Sequence, residues 1–196
     1  HFELLKWLLL DIKCPYDTNV SKIVASTGSL TMIEWLDNEC YEFDESIMDG
    51  AARSNSLDLL KWLHKNNYKL TVHTFRTATH SNNYDILNWL YENNCPWDDG
   101  SYDFPITNKD LELINWLYEK GCPLQSKNIF YSVGYSPCNK ILKWFIDKNF
   151  ENNILISCSL CTKDIKKLKF WIDNKGPIST KCYKWAIEKK SFDVIK

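Results

Sequence analysis

Leu59-Leu60-Lys61-Trp62-Leu63 is the stretch whose reading decides the fold, because the chain repeats it. Leu4-Leu5-Lys6-Trp7-Leu8 and Met32-Ile33-Glu34-Trp35-Leu36 precede it. Ile86-Leu87-Asn88-Trp89-Leu90, Leu113-Ile114-Asn115-Trp116-Leu117, Ile141-Leu142-Lys143-Trp144-Phe145 and Leu168-Lys169-Phe170-Trp171-Ile172 follow. Successive tryptophans are separated by 28, 27, 27, 27, 28 and 27 residues. A fixed period of this length marks a repeat architecture.

Within one period, Leu59, Leu60, Trp62 and Leu63 stand at i, i+1, i+3 and i+4, a broad apolar helical face. Ser56 precedes it as an N-cap, with Asp58 in the first turn, where the helix dipole favours a carboxylate. Ser29, Asn83, Asp110 and Ser191 are the matching caps. Asn67, Asn94, Gly121, Asn149 and Gly176 share the slot at the far end, and Asn and Gly are the residues that enter the left-handed conformation closing a helix. Cys-Pro follows at Cys14-Pro15, Cys95-Pro96 and Cys122-Pro123, and proline does not continue a helix.

A second cap slot comes next, filled by Asp17, Asp44, Thr71, Asp98, Gln125, Asn153 and Ser179. It predicts a shorter helix with small inner residues such as Val24-Ala25, Ala51-Ala52 and Ala78-Thr79. A single helix pair of this kind cannot bury its own apolar face, but a stack can. The expected fold is therefore all-α, an α-solenoid of stacked helix–turn–helix units near 4–31, 32–58, 59–85, 86–112, 113–140, 141–167 and 168–193. Pro105 predicts a shortened or irregular segment over 99–107. One extra residue is expected near 134–137 and one missing at Gly176-Pro177. The chain opens in one repeat and ends where another tryptophan would follow, so it reads as part of a longer array.

Ala51-Ala52-Arg53-Ser54-Asn55-Ser56-Leu57-Asp58-Leu59-Leu60-Lys61-Trp62-Leu63 resembles the ankyrin repeat: two alanines, a short turn, then a leucine-rich second helix. Gly28 stands where the ankyrin turn glycine does. Trp89-Leu90-Tyr91-Glu92-Asn93-Asn94-Cys95-Pro96-Trp97-Asp98 is similar in style to the ankyrin-like proteins encoded by giant amoeba-infecting viruses. The likeness runs the length of the chain. The ankyrin Thr-Pro-Leu-His start is absent from every unit, and the period is about six residues short of the ankyrin 33, a length that removes the projecting finger. The resemblance implies a protein–protein interaction scaffold without catalytic activity, acting on a host protein in the host cytoplasm or carried in the virion. An adaptor role in ubiquitin ligation is one version of it, although no F-box-like segment is present.

Composition fits a soluble folded chain: 44% hydrophobic, 25% charged, net charge −1, with no run of the ~18 apolar residues a membrane span needs. The eight cysteines are read as packing residues in a reducing compartment, because Cys14, Cys95 and Cys122 occupy one slot in separate units. Cys158 and Cys161 have zinc-like spacing but no second pair, so no metal or cofactor is expected. His64, His73 and His80 lack a neighbouring ligand set, and Asp98-Asp99 and Asp44-Glu45 stand at cap positions, so no catalytic residue is assigned. The tryptophans are expected to form a core ladder, with Trp97 in a turn and Trp185 on a first helix.

Partner contacts are expected at the turn between first and second helices: Ser26, Thr27, Arg53, Ser54, His80, Ser81, Thr107, Asn108, Thr162, Lys163, Glu188 and Lys189. Residues 140–196 hold 13 lysines and 6 acids, while residues 1–139 hold 11 basic and 19 acidic residues. That asymmetry points to an acidic partner near Lys163, Lys166, Lys167, Lys184 and Lys189, or to lysine bias on solvated faces. Two other readings stay open: a structural component of a particle or larger assembly, and a polyanion binder using the lysine-rich end.

Overall fold

Side-chain caps start five of the seven tryptophan helices; those that begin after His1 and Cys138 have none. In the computed structural model, which describes residues 1–135 and 138–188 (side chains 18, 161–163, 185, 186 and 188 excepted), the chain is all-helical, with no strand among the described residues. Ser29 Oγ accepts from Met32 N at 3.3 Å, Ser56 Oγ from Leu59 N at 3.4 Å, and Asp110 Oδ1 from Leu113 N at 3.0 Å. Asn83 Oδ1 accepts from Asp85 N at 2.9 Å. These are the caps read from the sequence; Asp164, bonded by Lys167 N at 3.0 Å, is a further one, and Ser191 lies outside the described residues. Each cap satisfies an otherwise orphaned N–H, which is worth about 1 kcal/mol.

The chain divides into two compact units, His1–Trp97 and Asp98–Lys196. In the first, α1 (Phe2–Lys6) runs into a π-helical turn, Trp7–Asp11. Three first helices follow, α2 (Thr18–Ser26), α4 (Ile47–Arg53) and α6 (Val72–Ala78), with α2 against α4 and α4 against α6. The tryptophan helices α3 (Leu30–Asn38), α5 (Leu57–Lys65) and α7 (Tyr84–Glu92) pack on α2, α4 and α6 in turn. In the second unit α8 (Asp103–Asn108), α10 (Lys127–Tyr135), α12 (Ile154–Lys163) and α14 (Thr180–Glu188) contact one another in order. There α9 (Leu111–Glu119) packs on α8, α13 (Ile165–Asp173) on α12, and α11 (Asn139–Lys148) beside α13.

Left-handed residues punctuate the chain twice per period. One series closes the tryptophan helices: Lys13, Cys40, Asn67, Asn94, Gly121, Asn149 and Lys175. The other lies between first and second helix: Gly28, Asn55, Asn82 and Lys109. The first series corrects the sequence reading at the last unit, where Lys175 rather than Gly176 takes the left-handed turn.

That correction exposes a register slip. From cap to left-handed residue is eleven positions at Ser56 to Asn67, and again at Asp164 to Lys175. Counted from the cap, Trp62 is sixth and Leu63 seventh; in α13 these places belong to Phe170 and Trp171. Trp171 therefore stands in the inner leucine slot, not in the tryptophan column. It is fully buried. Gly176 makes the room: a Cβ there would lie 2.3 Å from Trp171 Cε2. The indole Nε1 donates to the Pro177 carbonyl at 2.9 Å. The missing residue thus falls before Asp164, not at Gly176-Pro177. The first long step has its own cause, since the π-helical turn adds one residue before Lys13.

The core is made by the leucine positions. Leu59, Leu60 and Leu63 are fully buried, as are Ile86, Leu87 and Leu90, and Leu113, Ile114 and Leu117. Burying each contributes roughly 1.5–3 kcal/mol. Trp35, Trp62, Trp89, Trp116 and Trp144 are half-buried and Trp7 is 48% exposed, so the expected core ladder is instead a boundary seam. His64 meets Trp89 edge-on at 5.6 Å, and Tyr118 meets Trp144 at 5.4 Å. In each case the residue two places after one tryptophan abuts the next. Trp97 is half-buried, edge-on to Phe75 at 4.9 Å; the Trp185 side chain is among those outside the description.

The α-helix of residues 99–107 is shortened, one of the two outcomes Pro105 predicts: a 3₁₀ turn, Asp99–Tyr102, precedes the six-residue α8. Pro105 falls in the first turn of α8, where a missing N–H costs little. Two cap expectations fail: Ser126 rather than Gln125 accepts from Asn128 N, and Asn153 turns inward to donate to the Phe145 carbonyl at 2.6 Å.

Six cysteines, Cys14, Cys40, Cys95, Cys122, Cys138 and Cys158, are free. Cys95 and Cys122 donate to the Thr71 and Asp98 carbonyls, and burial pushes both thiols up to about 12. Cys182 departs from the expectation of free thiols: it is disulfide-bonded. No described helix is long and apolar enough to cross a membrane.

Candidate functional site

The outward faces of α2, α4 and α6 enclose an open hollow of about 470 Å³. Its positions recur at the sequence period: Lys22 with Asp49, Ile23 with Gly50 and Thr77, and Ser26 with Arg53. His73 adds a titratable side chain from the start of α6. Behind this face the side chains are small and buried: Ala25, Ala51, Ala52 and Ala78. Gly50 sets the floor. A Cβ there would come within 2.4 Å of the Lys22 backbone oxygen, so its absence is what lets α4 lie so close to α2.

Electrostatically the hollow is mixed, with a cationic excess. Lys22 and Arg53 are exposed cations. The Asp49 carboxylate accepts a 3.0 Å hydrogen bond from the Thr74 hydroxyl, so part of its acceptor capacity is used inside the protein. His80 stands on the 3₁₀ turn after α6, beyond the rim, within electrostatic range of Arg53. Burial first, and the Arg53 guanidinium second, hold its pKa below the ordinary histidine value. Ile23, 65% exposed, is the large apolar side chain of the hollow.

The turn residues singled out from the sequence divide by role. Ser26 and Arg53 line the hollow. The hydroxyls of Thr27, Ser54 and Ser81 each donate at 2.7 Å to the carbonyl three residues back (Val24, Ala51, Ala78), closing the end of a first helix. Ser26 Oγ does the same to Ile23 at 2.6 Å, and Thr107 Oγ1 bonds the Asp103 carbonyl at 2.8 Å. Asn108 is the exposed last residue of α8. Thr162 and Lys163 end α12, and Glu188 ends α14, but their side chains are outside the description; Lys189 lies outside the described residues altogether.

Of the lysines expected near an acidic partner, Lys166 and Lys184 are exposed, while Lys167 Nζ donates to Asn139 Oδ1 at 2.6 Å. Lys22, Ile23, Asp49, Gly50 and Thr77 were not anticipated. Aligning the first helices at the 27-residue step finds Lys22, Ile23, Asp49, Gly50 and Thr77, with Ser26 and Arg53, at i, i+1 and i+4, while His73 stands outside that register.

In the second unit a hollow of about 420 Å³ lies on α10, lined by Asn128, Tyr131, Ser132 and Tyr135. No group of three metal-ligating side chains occurs among the described residues. No protein-family model matches the sequence, and no curated protein matches it.

Proposed function

We propose that the chain is a non-catalytic binding scaffold, an ankyrin-like α-solenoid that holds a protein partner on the exposed face of its first helices. One observation carries this reading. Three successive first helices line one hollow with different side chains at equivalent positions, Lys22 with Asp49 and Ser26 with Arg53, over a buried layer of small residues, Val24-Ala25, Ala51-Ala52 and Ala78-Thr79. A face that varies over a frame that does not is the division of labour of a repeat scaffold. The thiols at Cys95 and Cys122, pushed up to about 12, stay protonated at neutral pH and are poor nucleophiles, which fits a non-catalytic role.

The test is affinity capture from lysate of amoebal host cells, comparing the native chain with the double variant Lys22→Glu/Arg53→Glu at equal helicity. At least one protein retained by the first and lost by the second is expected. Identical capture by both overturns the reading.

A second reading, a structural component of a larger assembly, is favoured by one observation: Leu4, Trp7, Leu10 and Ile12 are each about half exposed along α1 and its π-helical turn. Sedimentation that becomes concentration-dependent, and reverts in Trp7→Ser, would select it.

A further inference from the structure

We infer that the hollow on α2, α4 and α6 takes an extended acidic segment of a partner protein, seating a carboxylate on Lys22 and Arg53 and an apolar side chain on Ile23. The inference rests on the scaffold reading and adds the class of ligand.

Charge is the first argument. The first unit is acidic as a whole, with 13 carboxylates against 8 lysines and arginines. Its hollow reverses that sign: Lys22 on α2 and Arg53 on α4 face it, with Asp49 as the carboxylate of the lining and Thr74 already donating to it. An acidic chain is repelled by most of the unit and attracted here, which fixes its register as well as its affinity. A long polyanion gains no such discrimination, because its charge must also cross the acidic surround.

The type of cation is the second argument. Lysine outnumbers arginine 22 to 2 in this chain, yet the hollow holds one of the two arginines. A guanidinium presents a planar fork that fits a carboxylate with two parallel hydrogen bonds, which an ammonium does not. Shape is the third. Gly50 lets α4 lie close against α2, which keeps Lys22 and Arg53 on one hollow, and Ile23 offers exposed apolar area beside them. From α6, His73 lines the hollow, and His80, on the 3₁₀ turn that follows, lies within electrostatic range of Arg53; Lys22, Asp49, Arg53 and Arg76 are the charged groups on the three helices around them.

The experiment is selection of a random-peptide display library on the native chain, followed by fluorescence anisotropy of the enriched peptides. Enriched peptides are expected to carry an excess of Asp and Glu next to an aliphatic or aromatic residue. Arg53→Glu should weaken their binding by at least about tenfold, the scale of a lost charge-assisted hydrogen bond. Arg53→Lys should weaken it less. Lys61→Glu, on the exposed side of α5, should leave it unchanged. Peptides that need the hollow but are neutral or basic overturn the acidic class and leave the scaffold reading standing. Peptides bound equally by Arg53→Glu, or no enrichment, overturn both. Single-stranded DNA bound more tightly than any peptide, with the same dependence on Arg53, overturns the protein partner.

Discussion

The first-helix face is built the same way in the two units and carries opposite chemistry. In the first, its hollow is lined by Lys22, Asp49, Arg53 and His73, with one aliphatic side chain at Ile23. In the second, the hollow on α10 has Asn128, Tyr131, Ser132 and Tyr135, with no ionic side chain in its lining and Tyr135 59% exposed. Counted from the first-helix caps Asp17 and Ser126, Lys22 corresponds to Tyr131 and Ser26 to Tyr135. The inward residues hardly change: Ala25 and Ala52 in one unit, Gly134 in the other, are all small and buried. The frame is thus specified by one set of positions and the chemistry of the exposed face by another.

That separation can be broken first at the glycines. Gly50→Ala places a Cβ 2.4 Å from the Lys22 oxygen, and Gly134→Ala places one 2.3 Å from Ser159 Cβ. Each should cost about 1–3 kcal/mol in urea unfolding. Only Gly50→Ala should also abolish binding of the selected peptides; loss of that binding in Gly134→Ala would show that the units do not act separately. Gly176→Ala should cost about 1–3 kcal/mol by pressing on the Trp171 indole, and Gly176→Ala/Trp171→Leu should recover part of it. Recovery in the double variant is the signature of tryptophan in a leucine slot.

A smaller effect of opposite sign is expected at the left-handed positions held by ordinary side chains. Cys40→Gly in the first unit and Lys175→Gly in the second should each raise stability by roughly 1 kcal/mol, since the left-handed conformation strains a residue with a Cβ. Gly121→Ala should lose a similar amount. The smallest effect is electrostatic. An NMR titration should place His80 below the ordinary value of 6.5, and Arg53→Ala should move it part of the way back, with desolvation retaining the rest. Because the folded value is depressed, an unfolded chain takes up the proton first as pH falls. The stability tied to neutral His80 is therefore present above 6.5 and is lost as pH falls through the folded value.

Much of this was legible in the sequence because it is local. Ser29, Ser56, Asn83 and Asp110 cap helices through bonds two or three residues away, and Asn67, Asn94, Gly121 and Asn149 take left-handed turns their side chains favour. Lys13, Cys40 and Lys175 take the same turn with no such signal, held there by the helices on either side. The register slip at Trp171 was hidden because tryptophan at a 27-residue step imitates the column; only burial and the neighbouring glycine reveal it. At the site, the turn contributes Ser26 and Arg53 to the lining of the hollow. Its hydroxyls at Thr27, Ser54 and Ser81 close helix ends, while the hollow is also lined one helical turn earlier, by Lys22, Ile23 and Asp49.

The edge contacts between neighbouring tryptophan helices carry a consequence for inheritance. A gene made of near-copies invites unequal crossing-over, which removes or adds whole units without shifting the reading frame. Loss of residues 59–85 would remove α6 and join the start of α5, with its cap Ser56, to the rest of α7, yet it would set the carboxylate of Asp37, two places after Trp35, where the His64 imidazole now meets the Trp89 ring. The order of the units is thus written into the seam as well as into the exposed face, and recombination that respects the period is still penalised when it scrambles the sequence of neighbours.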